Sequence, residues 1–242
     1  MTWPATAFLA TSAAAWLLVG VQARMSGAPA GSMSMSLPVF DAMWTVMVAA
    51  MMLPAVAPVA IRYRRMIDTG GTGLGLFTAG YVGVWATSGA VAYPLTVAVA
   101  TAATASRAVA MGRAAALFLL CGLYQLTPLK ARCLRVCHAP FGVLLRYASW
   151  RGPLRHLRVG AHHGLYCLGC CWALMLLMFA AGVMNGAAMA LLALVITAEK
   201  VWPHGLLIPR LVGVVCCALA VAVLWIPALA PGLLGAPAPM LR

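Results

Sequence analysis

The 242 residues are 64% apolar and 8% charged, with a mean hydropathy of +0.99, whereas a soluble domain carries roughly a quarter charged residues. Asp41, Asp68 and Glu199 are the only acidic side chains, and the formal charge is +13. This composition excludes a water-soluble globule, a disordered chain and a coiled coil.

Charged side chains leave long apolar gaps. They hold 23 residues before Arg24, 20 between Asp41 and Arg62, 38 between Asp68 and Arg107, 16 between Arg113 and Lys130, 40 between Arg158 and Glu199, and 31 between Arg210 and Arg242. A helix needs about 20 apolar residues to cross the hydrocarbon core, and these runs lack the alternation of a barrel strand. The 40-residue gap is long enough for two spans, and Asn185-Gly186 interrupts it near its middle as a turn does.

The pattern predicts an all-α class, a polytopic transmembrane bundle of about seven helices near residues 5–22, 39–61, 75–100, 111–129, 162–184, 187–201 and 211–230. Residues 130–161 form a basic segment between the fourth and fifth helices. No period repeats along the chain, so residues 1–242 read as a single integral membrane domain. The first helix is read as retained, because no basic residue precedes its apolar run as a signal peptide requires.

Basic residues fall mostly on one side: Arg62, Arg64 and Arg65, then Lys130, Arg132, Arg135, Arg146, Arg151, Arg155 and Arg158, then Lys200 and Arg210. Short basic loops stay cytoplasmic, which puts the N-terminus inside and the C-terminus outside. The positive charge edges spans and meets a lipid bilayer with its anionic headgroups, and it forms no nucleic-acid-binding module.

Chemistry concentrates on the predicted fifth helix, in the string HHGLYCLGCCW from His162 to Trp172. Taking His163 as zero at 100° per residue, Cys167 falls at about +40°, Cys170 at about −20° and Cys171 at about +80°, so all four share a face. His163 and Cys171 are about 12 Å apart along the axis, too far for one ion to touch both. Cys133 and Cys137 offer a second pair, with His138 beside them. Thiols on the cytosolic side stay reduced, so metal binding or catalysis outranks a structural disulfide. Two facing pairs would make a thiolate site, whose softness selects Cu(I) or Zn²⁺. Gly164 and Gly169 would let a neighbour approach closely. Cys121, Cys216 and Cys217 sit within spans without a polar partner nearby in sequence, and read as packing.

Met43, Met47 and Met51 form a stripe on the second helix with Met52 beside it, while Met25, Met33 and Met35 lie before it. Thioethers bind Cu(I), although a stripe at helical spacing is commonly gap-filling packing. Gln125, Lys130, Asn185, Glu199 and Lys200 are polar groups in or beside spans and count as supporting candidates. Glu199 could pair with Lys130 or with Lys200. Asp41, beside Trp44, is either a cation-attracting gate or an interfacial cap. No phosphate-cradling loop, Ser-His-Asp arrangement or paired carboxylate site is present, which favours binding over catalysis.

On the strings MWTVMVAAMMLPAVAP from Met43, Gly80-Tyr81 with Trp85, GLYQLTPLKARCLRVC from Gly122, HGLYCLGCCW from His163, Met184-Asn185 and Glu199-Lys200, the chain resembles the predicted metal-binding integral membrane proteins of bacteria. The resemblance implies a multi-pass bacterial inner-membrane protein with a metal site drawn from Cys133, Cys137, His163, Cys167, Cys170 and Cys171. Together with the residues it supports binding of a soft metal ion, copper ahead of zinc. The role would be metal delivery, transport or metalloenzyme assembly, with a membrane metalloenzyme or a metal chaperone as partner. Two other readings stay open: a thiol-disulfide redox membrane protein, and a non-catalytic membrane subunit of a larger complex.

Overall fold

The computed structural model describes residues 3–26, 36–67, 71–101, 106–138, 141–183, 185–202 and 206–234. These residues are helical throughout, with no strand among them: α1 Trp3–Ser26, α2 Leu37–Ile67, α3 Gly71–Thr101, α4 Arg107–Gln125, α5 Pro128–Cys137, α6 Phe141–Ala148, α7 Arg155–Ala181, α8 Gly186–Val201, α9 Leu207–Ala222 and α10 Pro231–Leu234, with a single 3₁₀ turn at Pro227–Leu229. Within α2, α3, α4 and α7 lie four segments, Leu37–Met66, Gly71–Ala98, Arg107–Gln125 and Arg155–Ala181, long and apolar enough to cross a membrane.

Several boundaries differ from expectation, each for a local reason. The predicted fourth helix ends at Gln125 rather than residue 129, because the chain turns at Leu126-Thr127 and restarts at Pro128. Proline suits a first helical position, and the Thr127 hydroxyl accepts the Lys130 backbone N–H at 3.2 Å as an N-cap. The basic segment therefore holds two short helices, α5 and α6, and the start of α7, which begins at Arg155 instead of residue 162. The last long helix stops at Ala222 and gives way to turns before Pro227 and Pro231, where proline's missing N–H prevents continuation. Lys130 and Lys200, counted above as loop cations, are buried at 1% and 8% exposure. The basic edge is carried by arginines.

Two helices form the centre. In α2 and α7, 67% and 61% of the apolar window is buried, against 33% and 39% in α3 and α4. α7 touches α3, α4, α5, α8 and α10, and α2 touches α1, α3, α6 and α8. The packing of α7 against α3 needs glycine. A Cβ on Gly160 would overlap the Phe77 carbonyl, and one on Gly80 would overlap the Leu157 carbonyl, so the backbones meet directly as small residues permit. On the other flank α4 pairs with α9. The chain breaks at Asn185, whose side-chain oxygen caps α8 by accepting the Ala188 N–H at 3.1 Å.

Candidate metal centre

The helical wheel of α7 translates into a compact group of sulfurs. Cys167, Cys170 and Cys171 are each 1% exposed, and their Sγ atoms all lie within 4.8 Å of one another. Cys170 Sγ is 3.3 Å from Cys171 Sγ. A fourth sulfur arrives from α5, where Cys137 Sγ is 3.4 Å from Cys170 Sγ. Cys133, one turn earlier on α5, packs instead against the α7 backbone: a Cβ on Gly169 would stand 2.9 Å from its Sγ. The glycine thus admits α5 to the sulfur-bearing stretch of α7.

Positive charge reaches the same place from α8. Lys200 Nζ donates to Cys167 Sγ at 2.8 Å, and Tyr81 of α3 shares a hydrogen bond of 2.9 Å with that sulfur. Lys200 Nζ also lies 3.9 Å from Met52 Sδ, so a thioether of α2 borders the thiols. The other buried lysine serves a different function. Lys130 Nζ pairs with Glu199 Oε2 at 2.6 Å, each side chain 1% exposed, and donates to the Cys170 carbonyl at 2.5 Å. Gln125 Nε2 donates to Glu199 Oε1 at 2.6 Å. His138 Nε2 donates to the Glu199 carbonyl at 2.8 Å, since a carbonyl only accepts. Of the two partners considered for Glu199, the fold selects Lys130 and leaves Lys200 to the sulfurs.

In α5, burial by itself would lower the pKa of Lys130, but the Glu199 carboxylate, helped by the nearby thiols, outweighs it and holds the ammonium above its ordinary value. Burial pushes the Cys133 thiol up, partly offset by Lys130. Burial also raises Tyr147 of α6.

The remaining sequence candidates separate. His163 is 2% exposed and packs its ring near Phe77, Tyr81 and Tyr147. Its Nδ1 is buried without a hydrogen-bond partner among the described residues, and the ring is not in the three-sulfur group. Met47 and Met51 are 1% and 0% exposed and Met43 is partly buried against the core, so the stripe faces inward. Asn185 is a cap. Asp41 packs against Gly89 on α3, while the neighbouring Trp44 Nε1 donates to Ser88 Oγ at 3.0 Å. Met33, Met35 and Asp68 lie outside the described residues.

Two features escaped sequence reasoning. Cys216 Sγ is 3.9 Å from Cys121 Sγ across the α4–α9 contact, so these cysteines have a partner that is 95 residues away in sequence and invisible to spacing. Tyr81 and Met52 border Cys167 and Lys200 only because α3 and α2 converge on α7 and α8. The Gly80-Tyr81 string was the one hint of the tyrosine.

Chemically, four close sulfurs and an ammonium fit a soft ion with thiolate ligands. Among the described residues no carboxylate joins the three-sulfur group, which disfavours Mg²⁺ or Ca²⁺. A family model named PpoB2 and described as a copper chaperone matches residues 41–223 of the chain. No curated protein and no solved structure matches it.

Proposed function

The chain belongs to the PpoB2 copper chaperone family, and from that premise we propose that it is a multi-pass membrane protein that binds Cu(I) through Cys137, Cys167, Cys170 and Cys171 and passes it to a metalloenzyme. The observation that carries the reading is the group of three buried sulfurs within 4.8 Å of one another, with the Cys137 sulfur 3.4 Å from Cys170 and the Lys200 ammonium 2.8 Å from Cys167. Copper is cargo in this scheme. Thiolates hold Cu(I) and can pass it on by exchanging one sulfur for another, and Met47, Met51 and Met52 extend soft donors along α2. Cys133 and His163 are outlying ligands, available during transfer. The residues described form one domain around α2 and α7.

Four span-length apolar helices support membrane insertion. So does the outer surface, where Leu17, Leu18, Leu194, Val214, Val221 and Trp225 are all more than half exposed; large apolar side chains left open in this number match lipid rather than water. α1, α8 and α9 complete a seven-helix arrangement, and the arginines between α5 and α7 favour that face, with the N-terminus, being on the cytoplasmic side of a bacterial inner membrane.

The test is elemental analysis of protein purified in mild detergent under reducing conditions, wild type beside the Cys167/Cys170/Cys171→Ser triple variant. Near-stoichiometric copper lost in the variant is the expected result. Equal copper content in both samples would overturn the assignment, and zinc in place of copper would overturn the choice of ion.

A further inference from the structure

A cavity of about 280 Å³ opens between α2, the C-terminal end of α5 and the end of α8, lined by Pro58, Arg62, Cys137, His138, Lys200 and Trp202 among others. Its rim and its floor differ. Arg62 is exposed at the rim, its Nη1 3.5 Å from the His138 carbonyl. Cys137 and Lys200 are 2% and 8% exposed, and both touch the sulfur group: Cys137 meets Cys170, and Lys200 meets Cys167. The cavity therefore runs from solvent or headgroup to the wall of the candidate centre. Its described lining holds Arg62, Lys200 and the imidazole of His138, and no carboxylate.

Those charges are wrong for a bare cation and right for an anion. Cu(I) held by two thiolates is anionic, and carboxylates on the thiol compounds add further negative charge. An arginine at the rim presents the fork that grips a carboxylate, and a cleft of one sign focuses its field on incoming ligand. The volume also discriminates. It lies just below the usual range for small-molecule pockets, roughly 300–1,000 Å³, and admits a small thiol compound but not a folded carrier domain.

We propose that this cavity is the copper entry port, and that it receives Cu(I) as an anionic complex of small carboxylate-bearing thiols of the glutathione type. The proposal rests on the copper-binding reading above and names the donor for it. Arg62 is a positioning residue that holds the carrier's carboxylate, and Cys137 is the first sulfur to meet the metal. In the exchange, a bond forms between Cys137 Sγ and Cu(I) as the bond from Cu(I) to the carrier sulfur breaks. The proton of the Cys137 thiol goes to the departing thiolate, which leaves as free thiol. Copper stays Cu(I), and no electron moves. Cys170, 3.4 Å further in, takes the metal by the same step.

The experiment loads the full chain in detergent from two donors, the Cu(I)–glutathione complex and the cationic Cu(I)–acetonitrile complex, following uptake by stopped flow against a Cu(I) indicator. Wild type, Arg62→Gln and Arg62→Lys are compared, and copper content at equilibrium is measured alongside. Arg62→Gln is expected to slow loading from the glutathione complex about tenfold, the lower end of electrostatic steering effects, with the acetonitrile rate and final copper content unchanged. Arg62→Lys is expected to recover part of the lost rate, and added salt to slow wild-type loading from glutathione alone. Equal rates for Arg62→Gln and wild type, or equal slowing with both donors, would overturn the port while leaving the copper site standing. Failure of wild type to take copper from either donor would overturn both.

Discussion

The chain contains two sets of close cysteines in contrasting surroundings. Where α5, α7 and α8 meet, four sulfurs lie beside the Lys200 ammonium, a tyrosine hydroxyl and a methionine thioether, with a cavity leading to the outside. Where α4 meets α9, Cys121 and Cys216 lie 3.9 Å apart. Both sets are buried. What separates them is a cationic partner, a third and fourth donor, and an approach route, and these are what a thiolate ligand to an exchangeable ion needs. Burial and proximity of sulfur alone do not distinguish a binding site from packing.

The largest effect should come from the ion pair beneath the first set. Glu199→Ala strands Lys130 as a buried charge and should cost about 3–5 kcal/mol, read as a lowered denaturation midpoint in detergent. A loss below about 1 kcal/mol would mean that Lys130 escapes to solvent. Next, Lys200→Met removes a charged hydrogen bond to Cys167 of the class worth about 1.5–3 kcal/mol, so Cu(I) affinity should fall roughly 10- to 100-fold in competition with a chelator. An unchanged affinity would remove the ammonium from the account of the site.

A matched pair of glycine substitutions comes third. Gly160→Ala forces α7 off α3, and Gly122→Ala drives a Cβ into Cys217 and the Gly213 carbonyl on α9. Each should cost about 1–3 kcal/mol as overpacking. Copper retention should fall only for Gly160→Ala, which moves the helix that bears the sulfurs. A Gly122→Ala variant that also loses copper would erase the distinction between the two sets. Fourth, Cys121→Ala and Cys216→Ala should each destabilise by about 1 kcal/mol and leave copper content at the wild-type level by elemental analysis.

The smallest expected effect is a pH dependence. The Lys130 pKa is raised in the folded chain by Glu199, so its contribution is fully present below the unfolded lysine value of about 10.4 and is lost only as pH rises through the raised folded value. In Glu199→Gln burial is no longer offset by the carboxylate and lowers the folded pKa of Lys130, so the variant should regain stability as pH rises and the ammonium is neutralised. The gap to wild type should therefore be narrower at about pH 9.5 than at pH 7. A gap that stays constant across this window would mean that the pair does not hold Lys130 charged.

Much of this was readable in the order of residues, because it depends on one helix at a time. Apolar gaps between charges marked the long helices, Asn185-Gly186 marked the break between α7 and α8, and the spacing of Cys167, Cys170 and Cys171 placed them on one face. Helical periodicity is a local property of the backbone, so sequence determined the all-helical class and the sulfur-bearing face of α7. Which elements meet that face depends on how separate helices pack. Tertiary structure alone brought Cys137 to Cys170, paired Glu199 with Lys130, released Lys200 to Cys167, joined Cys121 to Cys216 and opened the cavity at Arg62. Those contacts come from backbones that meet where glycines permit and buried charges that must find partners, and the spacing of residues along one helix does not encode its rotation against the next.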